Sequence, residues 1–109
     1  MFNVDLKPTF TCPVIVSIPS GDGVIQQSFR AKFAALDIPD FSGFDLASPV
    51  GAQGFLERTL LSVSDVVDEE GNALPSSPQL LGRIVELPWA RTALIRAYLS
   101  AFTRAAQGN

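Results

Sequence analysis

The residues that could carry out chemistry in this chain are few, and the most versatile type is missing. None of the 109 residues is histidine, which removes the commonest general base and metal ligand and excludes Ser-His-Asp and Cys-His catalysis. Four carboxylates lie within six residues, at Asp65, Asp68, Glu69 and Glu70. Acidic side chains beside a turn are solvated far more often than they are catalytic. The sequence therefore predicts that the protein is not an enzyme.

Metal and cofactor sites have equally little support in the sequence. Cys12 is the single cysteine, so it can form neither an internal disulfide nor a zinc cluster, and we expect it to be a buried apolar residue. The acidic stretch before Gly71 resembles a calcium loop in composition, but Val66 stands where the first carboxylate ligand is required. Residues 51–54 lack the Gly-Lys-Ser/Thr ending of a phosphate-binding loop. We expect no cofactor.

Charge and hydropathy favour a partner that is a protein. Charged residues make up 17% of the chain, below the roughly 25% of an average soluble domain, and such a surface can be covered in an oligomer or by a partner. The net charge of −3 argues against nucleic acid and against an anionic membrane surface. No apolar run approaches the length of a membrane span, and residues 1–8 lack the apolar core of a signal peptide.

Alternating apolar residues predict a β-hairpin over residues 9–36. One strand covers 9–18, residues 19–23 are typical of a turn, and the return strand covers 24–35. Pro13 cannot donate to a β-ladder, so the first strand should lie at an edge of the sheet or carry a bulge. An edge strand also allows self-association by strand addition, into rings or filaments. A lone hairpin is marginal in water, so helices, a third strand or another subunit must cover it.

Residues 40–62 predict two helices joined by turn-rich chain. A short helix fits 40–47, with Phe41, Phe44 and Leu46 as apolar anchors, and a longer helix fits 51–62. Residues 61–67 alternate and contain three valines, so they fit either a short strand or the frayed end of that helix.

Two further helices are predicted on either side of Pro88. Ser77 as N-cap and Pro78 at the first helical position begin a helix over 78–87, which should bury Leu80, Leu81, Ile84 and Leu87. Pro88 ends that helix and opens the next. The second helix carries a broad apolar stripe, and residues 107–109 are expected to be a frayed tail. The stripe consists of Leu94, Ile95, Tyr98, Leu99, Ala101, Phe102 and Ala105.

These elements predict a single α+β domain over residues 1–109. An N-terminal antiparallel β-hairpin, 9–36, should pack against a C-terminal set of three to four helices within 40–106. A chain of this length can bury a core without disulfides or metals.

The last helix supplies the candidate partner-binding residues, which are Trp89, Arg91, Arg96, Tyr98 and Arg104. Trp and Arg are favoured at binding hot spots, although Trp89 could instead pack under the preceding helix. Arg91 falls inside the apolar stripe, so we expect it to reach an acidic side chain. Between positions 83 and 104 four Arg stand against one Glu. This basic stretch and the acidic turn are either solvated faces or complementary patches for self-assembly or for one partner.

Several segments, in their order along the chain, resemble the tail assembly chaperones of long-tailed bacteriophages. The resemblance covers nearly the whole chain. Its most specific part is a series of features in a fixed order: the acidic turn with its glycine, Leu-Pro, a helix, the Pro-x-x-Arg-x-Ala-Leu motif and Ala-Tyr-Leu. The segments are Phe10-Thr11-Cys12-Pro13-Val14, Phe29-Arg30-Ala31-Lys32-Phe33, Phe55-Leu56-Glu57-Arg58, Asp68-Glu69-Glu70-Gly71-Asn72-Ala73-Leu74-Pro75, Pro88-Trp89-Ala90-Arg91-Thr92-Ala93-Leu94 and Arg96-Ala97-Tyr98-Leu99.

The resemblance implies a small factor of the host bacterial cytoplasm that acts in virion assembly and is absent from the mature virion. Such a chaperone binds the tape measure protein, keeps it soluble and promotes polymerisation of tail tube protein around it. It has no catalytic residues and no cofactor, and we expect it to be a homo-oligomer. The alternative is a structural virion protein of the neck or tail, of the tail-completion or connector type, which would share the size and acidity but remain in the particle.

Overall fold

Three strands and four helices make up the described part of the chain. The structure, a computed structural model, describes the backbone of residues 1–106 and the side chains of residues 1–104; residues 107–109, where a frayed tail is predicted, lie outside it. The order is β1 (Thr9–Ser20), β2 (Gly23–Ala34), α1 (Ile38–Phe41), α2 (Pro49–Thr59), β3 (Leu60–Ser64), α3 (Pro78–Val85) and α4 (Pro88–Ala106). The predicted α+β class, with an N-terminal antiparallel hairpin and a C-terminal helical set, is confirmed.

The hairpin forms as its alternating sequence predicts. β1 and β2 pair antiparallel from Thr9 opposite Ala34 to Ser20 opposite Gly23, which leaves a two-residue turn. Gly21, the first turn residue, has a φ of +59°, a conformation that glycine adopts without the steric cost of a side chain. One face of the hairpin is buried beneath the helices, and it includes Cys12, Val14, Val16, Ala31 and Phe33.

β1 lies at the edge of the sheet, as Pro13 predicts, because the strand order is β1-β2-β3. The Ala35 amide donates to the Pro8 carbonyl over 3.0 Å, so the alternation of an antiparallel ladder turns the backbone groups of even-numbered β1 residues toward β2. The odd-numbered positions face outward, and they include Pro13 and Pro19. Neither proline costs the sheet a hydrogen bond, and both interrupt the outer edge. This edge is therefore a poor template for the strand addition expected from the sequence.

The connector between β2 and β3 forms two helices, as predicted, but with different bounds. The second, α2, overlaps the predicted helix over residues 51–59 and ends at Thr59 rather than at residue 62, because β3 begins at Leu60. The Asp37 carboxylate accepts from the Asp40 amide over 3.1 Å, so α1 begins at Ile38 and lasts one turn. The short helix expected over 40–47 is therefore displaced. α2 begins after Ser48, whose hydroxyl accepts from the Gly51 amide over 2.9 Å. A Cβ at Gly51 would collide with the Asp45 carbonyl, which gives this glycine a structural role.

β3 decides the open question at residues 61–67 in favour of a strand. It pairs antiparallel with β2, with Ser64 opposite Arg30 and Ser62 opposite Lys32, and an irregularity follows beside Phe33. The strand ends at Ser64. The next residue, Asp65, has a φ of +62°, in the left-handed region that Asp tolerates better than most residues.

α3 begins where Ser77 and Pro78 predict, because the Ser77 hydroxyl accepts from the Leu80 amide over 3.1 Å. The helix ends at Val85, two residues earlier than predicted. As a result Leu87 lies in the α3–α4 corner and is exposed rather than buried.

The buried face of α4 is rotated relative to the predicted stripe. It consists of Ala90, Ala93, Leu94, Ala97 and Tyr98, whereas Leu99 and Phe102 are exposed, and the side chain of Ala105 is not described. The small alanines let the helix backbone lie close to β1: the Cys12 sulfur is 3.9 Å from the Ala97 carbonyl oxygen. The stripe predicted from the sequence consisted mainly of large apolar residues. The observed face is rich in alanine, because only small side chains allow the helix to lie this close to β1.

Candidate functional site

The sheet has two ends that are filled to different extents. At the end nearest Thr9 and Ala34, which we call the aromatic end, six rings pack around one another: Phe10, Phe33, Phe41, Phe55, Tyr98 and Phe102. The Tyr98 ring centroid lies between 4.9 and 6.4 Å from those of the other five. Aromatic contacts at these distances stabilise the fold beyond the area that they bury.

Tyr98 is a core residue, so its assignment as a partner-binding candidate is wrong. Its side chain is 2% exposed, and its hydroxyl accepts from the Leu36 amide over 2.9 Å. A partner cannot reach a side chain that is enclosed and hydrogen-bonded in this way. The sequence places Tyr98 correctly on the apolar stripe, but Leu36 is 62 residues away and gives no local signal of this bond.

Trp89 lies at the opposite end, which we call the open end: the hairpin turn, the α3–α4 corner and residues 65–67. The Trp89 side chain is 38% exposed, so one portion of it is packed and another is available for contact. On one side of it a hollow of about 350 Å³, the β1–α4 hollow, opens against the outer edge of β1. Arg96 follows Trp89 by about two turns and lines the same hollow. The remaining lining residues are Ile15, Ser17, Pro19, Pro88, Thr92 and Ala93.

On its other side Trp89 borders a larger depression of about 500 Å³, which we call the Trp89 groove. The groove runs between the inner face of the hairpin and the α3–α4 corner, and Asp65 is the charged residue among those that line it. Its wall is mainly apolar, as in many protein recognition sites. The apolar lining residues are Val16, Ile18, Phe29, Val66, Val67, Ile84, Leu87, Trp89 and Ala90.

Arg91 points away from both depressions and does not reach an acidic side chain as predicted. Its Nε donates to the Val85 carbonyl oxygen over 3.0 Å, and the side chain is half-buried. A cation near the carboxyl end of a helix satisfies a free carbonyl and interacts favourably with the helix dipole. Arg91 thus joins α3 to α4 and has a structural explanation.

Arg104 is exposed but lies at the aromatic end, 15 residues and about 22 Å of helix beyond Trp89. It is near Cys12, which is buried as predicted. Burial raises the pKa of the Cys12 thiol, and the Arg104 guanidinium opposes that effect in part. The candidates that share one surface are therefore Trp89 and Arg96.

The acidic turn is built around Asp68. Its carboxylate accepts from the amides of Asn72 and Glu70, each over 2.9 Å. These bonds, led by the one from Asn72, hold the pKa of Asp68 below its usual value. Leu74 closes the turn by donating to the Val66 carbonyl over 2.8 Å. Asp68 thus has a structural role in shaping the segment that borders the Trp89 groove.

Sequence reasoning missed several residues of the open end. Val66, Val67 and Leu87 line the Trp89 groove, yet they come from chain segments that share no motif. The only available signal was the pair of valines directly before the acidic turn, and it does not indicate that they approach α4.

Similarity to known proteins adds no assignment to these surfaces. Comparisons with protein-family models, with curated proteins and with solved structures find no match to this chain. No helix within residues 1–106 combines the length and apolar character needed to cross a bilayer. In the same range, no three His, Cys, Asp or Glu side chains are grouped as a metal site requires. The surface of the open end is therefore the basis for a functional proposal.

Proposed function

We propose that this protein is a tail assembly chaperone of a long-tailed bacteriophage. It binds the tape measure protein, keeps it soluble and promotes polymerisation of tail tube protein around it. It acts in the host bacterial cytoplasm and is released before the virion is complete. The sequence resemblance suggests the family, and the exposed apolar surface at Trp89 is the observation that supports a binding role.

The surface suits an apolar client. A tape measure protein is long, helical and apolar, so its chaperone needs an accessible apolar surface rather than a deep cavity. The β1–α4 hollow is shallow, and it places Trp89 beside Ile15 and Pro19. Trp combines a large contact area with low conformational entropy, which is why it is frequent at binding hot spots.

The charge beside this hollow favours a client segment with acidic residues next to its apolar ones. Arg96 is exposed and is the charged residue among those that line the hollow. Charges of this kind around an apolar centre set the orientation and the association rate of a partner more than its affinity.

Co-expression with the tape measure protein from the same genome tests the proposal. We expect the wild-type chain to keep the tape measure protein soluble and to co-purify with it. Trp89→Ala should lose most of this activity because it removes the centre of the surface. Ile38→Ala is the matched control, since Ile38 is a large, exposed apolar residue on α1, beside the aromatic end. Thermal melts would establish that both variants fold.

An insoluble tape measure protein, together with a wild-type chain that purifies alone, would contradict the proposal. That result would favour the alternative of a structural protein of the neck or tail. Mass spectrometry of purified virions separates the two functions, because a structural protein remains in the particle and a chaperone does not.

A further inference from the structure

β2 has an unpaired edge at the open end. Because the odd-numbered β2 residues pair with β1, the backbone groups of the even-numbered residues face the β3 side. β3 reaches only as far as Ser64, opposite Arg30. Beyond that point Val24, Gln26 and Ser28 face no strand among residues 1–106, and none of them is proline. Unlike the outer edge of β1, this edge can accept another strand.

The unpaired edge borders the Trp89 groove. The chain turns away from β2 at Asp65, and both Asp65 and Ser28 line the groove. A strand added beside Val24–Ser28 would direct every second side chain toward the inner face of the sheet. Those side chains would enter the groove, while the backbone would complete the ladder. This arrangement is that of peptide recognition by strand addition.

Residues 2–7 of this chain have the properties of such a strand. Apolar and polar residues alternate, and the side chains of Phe2, Val4 and Leu6 are 90, 79 and 66% exposed. In the protomer the segment forms a turn, in which the Asn3 carbonyl oxygen accepts from the Leu6 amide over 3.3 Å and the Asn3 side chain accepts from the Asp5 amide over 3.0 Å. Extending the segment breaks these two exposed bonds and allows a full ladder to form.

We call the segment Phe2–Leu6 the arm. The arm of one chain cannot reach the unpaired β2 edge of the same chain. Leu6 is two residues from Pro8, which allows a reach of roughly 7 Å. Ser28 pairs with Ile15, which lies seven residues along β1 from Pro8, or about 23 Å. The arm and the edge lie at opposite ends of the sheet, so the strand must come from another copy.

We propose that the arm Phe2–Leu6 of one copy pairs with the Val24–Ser28 edge of a second copy and seats its apolar side chains in the Trp89 groove. Each copy has one arm and one unpaired β2 edge. A copy that uses its arm in one contact therefore keeps its edge free to bind the arm of a further copy. The inference concerns self-assembly and does not depend on the identity of the client.

Sedimentation velocity over a range of protein concentrations tests this contact. We expect the wild-type chain to associate. Val4→Asp should abolish association by placing a charge in the groove, whereas Asn3→Asp adds the same charge on the opposite face of the arm and should associate normally. Gln26→Pro should abolish association by removing an edge amide, and Gln26→Thr is its control. Natural prolines occupy the equivalent outward positions of β1, so the substitution fits a strand of this protein.

A mixture of the Val4→Asp and Gln26→Pro proteins sharpens the test. The first keeps its edge and the second keeps its arm, so the mixture should form a species of twice the protomer mass that grows no further. Circular dichroism melts would show that each variant is folded. A wild-type chain that stays monomeric at all concentrations, or association that persists in both variants, would overturn the proposal.

Discussion

The aromatic end and the open end of the sheet differ in how completely side chains fill the space beneath them. At the aromatic end five phenylalanine rings surround the ring of Tyr98, whose hydroxyl is hydrogen-bonded. At the open end the same helix, α4, leaves Trp89 partly exposed between depressions of about 350 and 500 Å³. Beside the hairpin turn, at the same end, Val24 and Ile25 are also exposed.

This difference suggests a division of roles along one small domain. Dense packing of the rings at the aromatic end adds to the stability of the common hydrophobic core. The open end can then keep apolar side chains and an unpaired strand edge available without unfolding the domain. Exposed apolar surface of this kind marks a binding surface more often than a packing fault.

Truncation of a large side chain at each end should give the largest contrast. Phe55 is fully buried at the aromatic end, so Phe55→Ala should lower the free energy of unfolding by about 3–5 kcal/mol. Leu87→Ala at the open end should cost less than about 1 kcal/mol, because the side chain is already exposed. Urea denaturation of both variants measures the two values. Equal losses of unfolding free energy in the two variants would show that side chains at the open end stabilise the fold as much as those at the aromatic end.

Removal of the Tyr98 hydrogen bond at the aromatic end should lower the free energy of unfolding by an intermediate amount. Tyr98→Phe keeps the ring but leaves the Leu36 amide without its acceptor, at a cost of about 1–3 kcal/mol. The variant should retain client binding, because Tyr98 is enclosed and only stability should change. Unchanged stability would mean that this bond contributes little to the packing of the aromatic end.

Substitution of Asp65, which follows β3 in a left-handed backbone conformation, should have a smaller effect on the free energy of unfolding. Asp65→Val should cost about 1–2 kcal/mol, because a β-branched residue is disfavoured at a φ of +62°. Asp65→Gly is the control, since glycine adopts this conformation freely. Thermal melts that rank the Val and Gly variants equally would contradict the role of backbone conformation here.

The smallest predicted effect is the pH dependence contributed by Asp68. Its pKa is lowered in the folded state, so its charge stabilises the fold above the unfolded-state pKa, and this contribution is lost as the pH falls through the folded-state pKa. Asp68→Asn should therefore be less stable than wild type near neutral pH, and the difference should shrink below about pH 4. Urea denaturation at several pH values measures this change.

Asp68→Ala is the control for that experiment, because it removes the acceptor atoms as well as the charge and should lower stability at every pH. A difference between wild type and Asp68→Asn that does not vary with pH would contradict an ionic contribution.

Features fixed by local physics could be predicted from the sequence. The alternation of apolar residues predicted the hairpin and its buried face. Pro13 predicted either an edge strand or a bulge, and the edge position of β1 is the one observed. Ser77 and Pro78 gave the start of α3, because an N-cap acts within one turn.

Features that depend on contacts between distant segments could not be predicted. The alanine face of α4 is selected by close approach to β1, and the role of Tyr98 depends on the distant Leu36 amide. The Trp89 groove combines the hairpin, residues 65–67 and the α3–α4 corner, so no single segment carries a pattern that reveals it.

Binding of the client at the open end can be tested by residue-resolved hydrogen exchange on the chain alone and on the chain co-purified with the tape measure protein. Amides near Trp89 and in the β1–α4 hollow should become protected in the complex, while amides at the aromatic end should already be protected in the free chain and should not change. Protection that appears at the aromatic end instead, or at neither end, would contradict the assignment of binding to the open end.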